Sequence, residues 1–338
     1  MTAPTSQIRD HISLSRKRKT LIGRIGRVLL VLVILLVLLA AAGLLYQGIA
    51  SGVDASRYPA PGKLIDVGGY RLHINCTGTG SPTVILDAGL GGSSLDWSLV
   101  QPGVATFTRV CSYDRAGYGW SDSGPKPRTS GRIVAELHTL LIKAGIPGPY
   151  ILVGQSFGGL NVRLYAYTYP QEVVGMVLVD ASHEDAFVRF PTLQQDLLDG
   201  QKQLSMCSGL APFGVIRLLG FLDKFILQYP SAVQPQVKAL FYQTRFCGTW
   251  YDEGAAWDES TTQVHAARAQ HSLGQLPLVV ITRGEQVDAA WQALQKDLAS
   301  LSPNSTHIIA THSGHDIMFE QPDLVIAAIK QVATGQKM

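Results

Sequence analysis

The sequence predicts an α/β fold: a mostly parallel central sheet with helices on both faces, a helical cap inserted after the sixth strand, and an N-terminal transmembrane helix ahead of both. Three observations carry that expectation. Short β-rich runs alternate with helix-length stretches, which calls for crossover connections and therefore parallel strands. Residues 183–275, between the sixth and seventh runs, are too many for a loop and rich in Leu, Phe and Trp, as a helical unit with its own small core would be. Val28 to Tyr46 carries no charged residue, and about 20 apolar residues in a helix cross a hydrocarbon core.

Taken in order, residues 1–20 read as a basic cytoplasmic tail, 21–47 as a transmembrane signal-anchor and 48–62 as a linker. Seven of the 28 basic residues but only one of the 25 acidic ones fall in residues 1–27. Arg16, Lys17, Arg18, Lys19, Arg24 and Arg27 immediately precede the apolar run; basic residues resist translocation, which puts the N-terminus in the cytoplasm and the body outside it. Ala40-Ala41-Ala42 offers small residues to a signal peptidase, but the apolar run continues through Gly43 to Tyr46 and favours an uncleaved anchor. Either way the body is exported. The rest of the chain, with 21 basic and 24 acidic groups, has no electrostatic footprint for nucleic acid.

The body divides into 63–182, the cap 183–275, and 276–338. Lys63 to Val67 and Tyr70 to Asn75 alternate around Gly68-Gly69, a hairpin signal. Further strands are expected at Thr83–Leu86, Arg109–Tyr113, Tyr150–Val153, Val174–Val179, Leu278–Thr282 and His307–Ala310. Ser130 to Ala144 puts Ile133, Leu137, Leu140 and Leu141 on one helical face, with Gly145 as a stop signal. The four cysteines, Cys76, Cys111, Cys207 and Cys247, allow three pairings. None has metal-ligand spacing, and a Cys207–Cys247 bridge would tie the cap together.

The chemistry-bearing motif is Gly154-Gln155-Ser156-Phe157-Gly158, set between a buried apolar run and a helix-compatible stretch, Gly159 to Tyr169. A nucleophile elbow needs Ser on a strained strand-to-helix turn, with glycines that let the backbone pass close to its neighbours and a helix N-terminus that favours negative charge.

With this motif in place, the chain resembles the α/β-hydrolase family, in the lineage of epoxide hydrolases, haloalkane dehalogenases and proline iminopeptidases, over about Leu64 to Ile329. Asp114-Arg115-Ala116-Gly117-Tyr118-Gly119-Trp120-Ser121 is similar to the family's D-x-x-G-x-G-x-S turn, and Gly314-His315 to its histidine loop. The resemblance implies that the second and fourth strands are neighbours, so that Cys76 and Cys111 could meet. It also implies an oxyanion hole built from the amides of Leu90 and Phe157, although Ala88-Gly89-Leu90 replaces the family's His-Gly-x.

His315 is the expected general base, ahead of His312 and His307; His183, His265 and His271 belong to or border the cap. The acid is less plain. Gly284-Glu285-Gln286-Val287 puts valine where many relatives carry the Asp of a G-x-x-D turn, and Asp288 comes one residue late. Asp180, at the end of the sixth strand, is the first choice, Asp288 the alternative and Glu285 a third. No cofactor or metal is implied.

The expected activity is hydrolysis of a small-molecule carboxylic ester, with Phe213, Phe221, Phe225, Trp250 and Trp257 of the cap covering the acyl chain. A proline-iminopeptidase-like aminopeptidase would use Glu184, Asp185 or Glu253 for the substrate amine. A non-catalytic membrane-anchored binding protein is the reading outside the enzyme class.

Overall fold

The computed structural model describes residues 5–336 except 287, with side chains from residue 21 onward. Arg16 to Lys19 and Val287 therefore lie outside the described side chains. A first helix, α1 (Thr5–Arg57), precedes eight strands: β1 (Lys63–Asp66), β2 (Arg71–Thr77), β3 (Thr83–Asp87), β4 (Val110–Tyr113), β5 (Tyr150–Gln155), β6 (Val173–Val179), β7 (Leu278–Arg283) and β8 (Ser305–Ala310). All eight form one sheet in the order β1-β2-β4-β3-β5-β6-β7-β8. The β1–β2 and β2–β4 pairs are antiparallel, and every other pair is parallel.

Strands β3, β4 and β5 are buried along their whole length, as expected of a parallel sheet covered on both faces. Helices α2 (Ser130–Ala144) and α3 (Gly158–Thr168) cover one face, where Leu137, Leu140, Leu160 and Tyr165 pack on Ile85 and Leu152. On the other face Val325, Ala328 and Ile329 pack on Val84, Val153 and Val279. Thr129 caps α2 by accepting from the Arg132 amide, and Gly145 ends it at φ 67°, a left-handed turn that costs glycine nothing.

Between β6 and β7 the chain is helical and irregular, with α4 (Pro191–Leu210), α5 (Gln234–Phe241), α6 (Phe246–Ala255) and α7 (Trp257–Gln270). A separate apolar cluster that includes Leu204, Leu222, Leu240, Phe241 and Phe246 fills it.

One expected boundary is corrected. Residues 48–57, read as linker, continue α1, and only 58–62 connect it to β1. Docking on the cap sustains this end of the helix: Gln47 Nε2 donates to the Tyr242 carbonyl at 2.7 Å, and Asp54 pairs with Arg217 at 2.7 Å. Such contacts override a local sequence that contains Gly48, Ser51 and Gly52.

Cys76 and Cys111 face each other across β2 and β4 and are bonded, and Cys207 is bonded to Cys247, 40 residues on. Unreduced, denatured protein is expected to show no reactive thiol by mass-tag counting; a tagged pair would contradict the pairing. Opening the cap bridge with Cys207→Ala and Cys247→Ala should cost up to about 4 kcal/mol from loop entropy, read as a lower urea midpoint.

Candidate active site

The site lies at the C-terminal ends of β3, β5, β6 and β7. Ser156 follows β5 at φ 49°, a left-handed conformation that costs a non-glycine residue energy and persists only where its surroundings enforce it. They do so closely. A Cβ on Gly154 would lie 2.6 Å from the Gly158 carbonyl oxygen, and one on Gly158 would lie 2.4 Å from that of Asp87. The Ser156 amide donates to Val179, and its carbonyl accepts from Gly159 and Ser182. The turn is thus pinned to the end of β6 and to the start of α3.

Asp180, the next residue after β6, is also left-handed, at φ 41°, and fully buried. Its Oδ2 meets His315 Nδ1 at 2.5 Å and Arg283 Nη1 at 3.3 Å; its Oδ1 accepts from Trp291 Nε1 at 2.8 Å and from the Arg283 amide at 3.2 Å. His315 is partly exposed and lines the same cavities as Ser156. Its carbonyl accepts from Gln155 Nε2 at 3.4 Å, which brings the histidine loop against the elbow.

Asp288 is placed differently. It is exposed and caps α8 (Ala289–Ala299), accepting from the Trp291 amide at 2.7 Å. Glu285 is exposed. His307 sits within β8 and bonds Thr282 Oγ1, and His183 meets Asp297. His312, His265 and His271 are exposed.

The Ala88–Leu90 turn runs beside the elbow, and a Cβ on Gly89 would lie 3.2 Å from the Ser156 Cβ. Among the described residues, neither the Leu90 nor the Phe157 amide has a protein acceptor. Two such amides flanking a serine can receive a developing oxyanion.

Sequence reasoning did not find what holds that turn. Arg115, 2% exposed, donates to the Ala88 and Gly89 carbonyls at 2.7 Å each, to Asp87 at 2.8 Å, and through its Nε–Nη2 edge to both carboxylate oxygens of Glu253 of α6 at 2.8 and 3.0 Å. Burial opposes its charge, but Glu253 and Asp87 outweigh burial and hold its pKa well above the usual arginine value. The only signal in the sequence was the position of Arg115 inside the turn after β4. Glu253 is thereby engaged and is not free to meet a substrate amine. Glu184 is likewise taken, by Arg163 and Arg268, and Asp185 lies near Arg189 at 3.6 Å.

Two cavities meet at Ser156. The larger, about 470 Å³, is mainly apolar and is walled by residues including Phe187, Leu193, Leu204, Phe221, Phe225 and Trp257. The smaller, about 220 Å³, is lined by Gly91, Gly92, Asp96, Tyr229 and Phe319 among others. Of the cap aromatics expected to cover a substrate, Phe213 is placed elsewhere, against α1 at Gly43. No three His, Cys, Asp or Glu side chains converge as a metal site among the described residues.

The sheet order, the elbow and the inserted cap define a hydrolase fold. A family profile described as the alpha/beta hydrolase fold matches residues 82–322, and the chain belongs to that family. The uncharacterized protein YqjL of Bacillus subtilis is 26% identical over 276 residues, which cover 80% of this chain and 91% of that protein. Among solved structures, the Cif epoxide hydrolase from Acinetobacter nosocomialis superposes with a TM-score of 0.69 at 15% identity, covering 86% of this chain and 96% of its own. A thermophilic esterase from Thermogutta terrifontis gives 0.61 at 21% identity, covering 80% and 99%. Both structural likenesses speak for the fold.

Replacing Arg115 by Met leaves Asp87 and Glu253 buried without their partner, and should destabilise the protein by about 3–5 kcal/mol in urea denaturation. A loss under about 1 kcal/mol would show the network to be dispensable.

Asp96 yields a pH prediction. Burial raises its pKa to about 7, against the opposing hydrogen bonds from the Ser93 amide and Tyr229. The folded state then holds a proton that the unfolded state has released, so stability falls as pH rises from the ordinary aspartate value toward 7. Asp96→Asn, which keeps an acceptor oxygen, should flatten the Tm profile in that window and raise Tm at pH 8 relative to the parent; parallel profiles would contradict it.

Proposed function

We propose that the chain is a serine hydrolase of carboxylic esters, in which Ser156 attacks the acyl carbon and His315 takes its proton. Asp180 orients the imidazole through Nδ1 and leaves Nε2 to serve the serine. The oxyanion is received by the amides of Leu90 and Phe157. His315 returns the proton to the leaving alcohol, and water then releases the acyl group from Ser156 by the same steps.

The observation that carries this reading is the 2.5 Å contact between His315 and the buried Asp180, made beside a serine held in a left-handed turn. Asp180 accepts three further contacts, from Trp291 and Arg283, which fix its orientation. Asp288 already serves as a helix cap, which supports Asp180 as the acid. A mechanism through an alkyl-enzyme ester needs a carboxylate at the elbow, and this chain has Ser156 there.

The apolar lining of the larger cavity suits an acyl chain, and the engagement of Glu184 and Glu253 in buried ion pairs speaks against an aminopeptidase. We also read α1 as a membrane anchor with the catalytic body outside the cytoplasm. Its 37 residues from Leu21 to Arg57 are long and apolar enough to span a bilayer, and basic residues precede the uncharged run.

Turnover of p-nitrophenyl esters of several chain lengths, set beside prolyl p-nitroanilide, tests the reading; ester hydrolysis with no amide cleavage is expected, and the reverse would overturn it. Asp180→Asn should lower kcat by roughly 10³–10⁴-fold, as loss of an orienting carboxylate does elsewhere, while Asp288→Asn stays near the parent rate. Near-normal turnover in Asp180→Asn with collapse in Asp288→Asn would exchange their roles.

A further inference from the structure

The cap exposes an apolar surface that the site does not use. Leu218, Leu219 and Leu227 are 67%, 74% and 71% exposed. None of them lines either cavity at Ser156. Met206 and Leu210, on α4, add to the exposed apolar side chains of the same part of the chain.

The segment that precedes them is fixed against α1. A Cβ on Gly43 would lie 2.4 Å from the Phe213 carbonyl oxygen, and one on Gly214 would lie 2.6 Å from the Tyr46 ring. Arg217 then reaches Gln47 and Asp54. The cap segment that leads directly into Leu218 and Leu219 is therefore bound to α1 between residues 43 and 54.

The uncharged run, Val28 to Tyr46, is 19 residues, or about 28 Å of helix against a hydrocarbon core of about 30 Å. It has no length to spare, so Gly43 to Tyr46 belong in the membrane or at its boundary, and whatever packs on them lies at that level too. Of the basic groups nearby in sequence, Arg217 is paired with Asp54 and Lys238 lies 3.4 Å from Asp223, while Lys224, between Leu219 and Leu227, is of the sign that favours lipid headgroups.

We propose that the cap is seated in the bilayer surface through Leu218, Leu219 and Leu227, and that the ester hydrolysed at Ser156 is a lipid ester drawn from that bilayer. The second half rests on the hydrolase reading above; the first does not. The wall between membrane and cavity is thin here. Phe221, Leu222 and Phe225 line the larger cavity, while Leu218, Leu219 and Leu227, in the same stretch of chain, face outward. One short stretch of chain thus presents apolar side chains both outward and into the cavity.

The test uses the full chain reconstituted in phosphatidylcholine vesicles. All four native cysteines are bonded, so Leu219→Cys and, as control, Ile142→Cys each offer one thiol to a nitroxide label. Ile142 is equally apolar and 63% exposed but lies at the end of α2. The label at 219 is expected to be relaxed by oxygen in preference to a water-soluble nickel chelate, and the label at 142 by the chelate. Aqueous behaviour at 219 would overturn the seating, whatever the activity.

For the substrate, Leu218→Ser/Leu219→Ser/Leu227→Ser should lower hydrolysis of dioleoylglycerol carried in the vesicles by about tenfold, since interfacial binding scales with apolar area, and leave soluble p-nitrophenyl butyrate at the parent rate. Equal effects on both esters, or none, would overturn delivery from the bilayer. If the parent chain hydrolysed neither ester, the hydrolase reading would be what fails, and the label depths would still decide the seating.

Discussion

The site depends on a backbone constraint: a sharp reversal at Ser156 where β5 becomes α3. The chain passes so close to itself and to β3 that only glycine fits at 154 and 158, and the serine between them is held in a conformation it would not choose. Because β3, β5, β6 and β7 are parallel neighbours, the turns that follow them open on one edge of the sheet. That edge brings together Ser156, Asp180 and the Ala88–Leu90 turn from distant parts of the sequence. His315 arrives from the loop beyond β8 and is linked to both the elbow and Asp180.

The second organising element is a buried charge cluster. Arg115 ties the turn after β4 to the carbonyls of the turn after β3 and to Glu253 in the cap. A guanidinium suits this position because its planar fork serves two carboxylates and two carbonyls at once. The Ala88–Leu90 turn, the sheet edge and the cap are thereby held by one side chain, and the relation of cap to sheet is part of the site rather than an appendage.

Much of this was legible in the sequence for identifiable reasons. The strands are continuous apolar runs between turn residues, and buried parallel strands must be so. The elbow was visible because its steric demands select glycine at fixed spacing. Asp180 could be preferred to Asp288 only through resemblance and spacing; its contacts come from residues 103 to 135 positions away, which no local pattern encodes. The Arg115 cluster was hidden for the same reason, since Glu253 lies 138 residues further on. The continuation of α1 to Arg57 was missed because packing on the cap, not propensity, sustains it.

The N-terminal helix and the body are one structure where they meet. Residues 40, 43, 47, 50 and 54 recur at helical spacing on the protected side of α1, so the helix is docked along its last turns rather than tethered by a flexible stem. The cap is thus fixed in relation to α1 as well as to the sheet. At the centre stands the claim that the Ser156 hydroxyl is made nucleophilic by His315. Reaction of the folded chain with a fluorophosphonate, followed by peptide mass spectrometry, measures this most directly. The account predicts a single adduct on Ser156 that is lost in Ser156→Ala and strongly slowed in His315→Ala, whereas an unlabelled wild type, or labelling indifferent to His315, would contradict it.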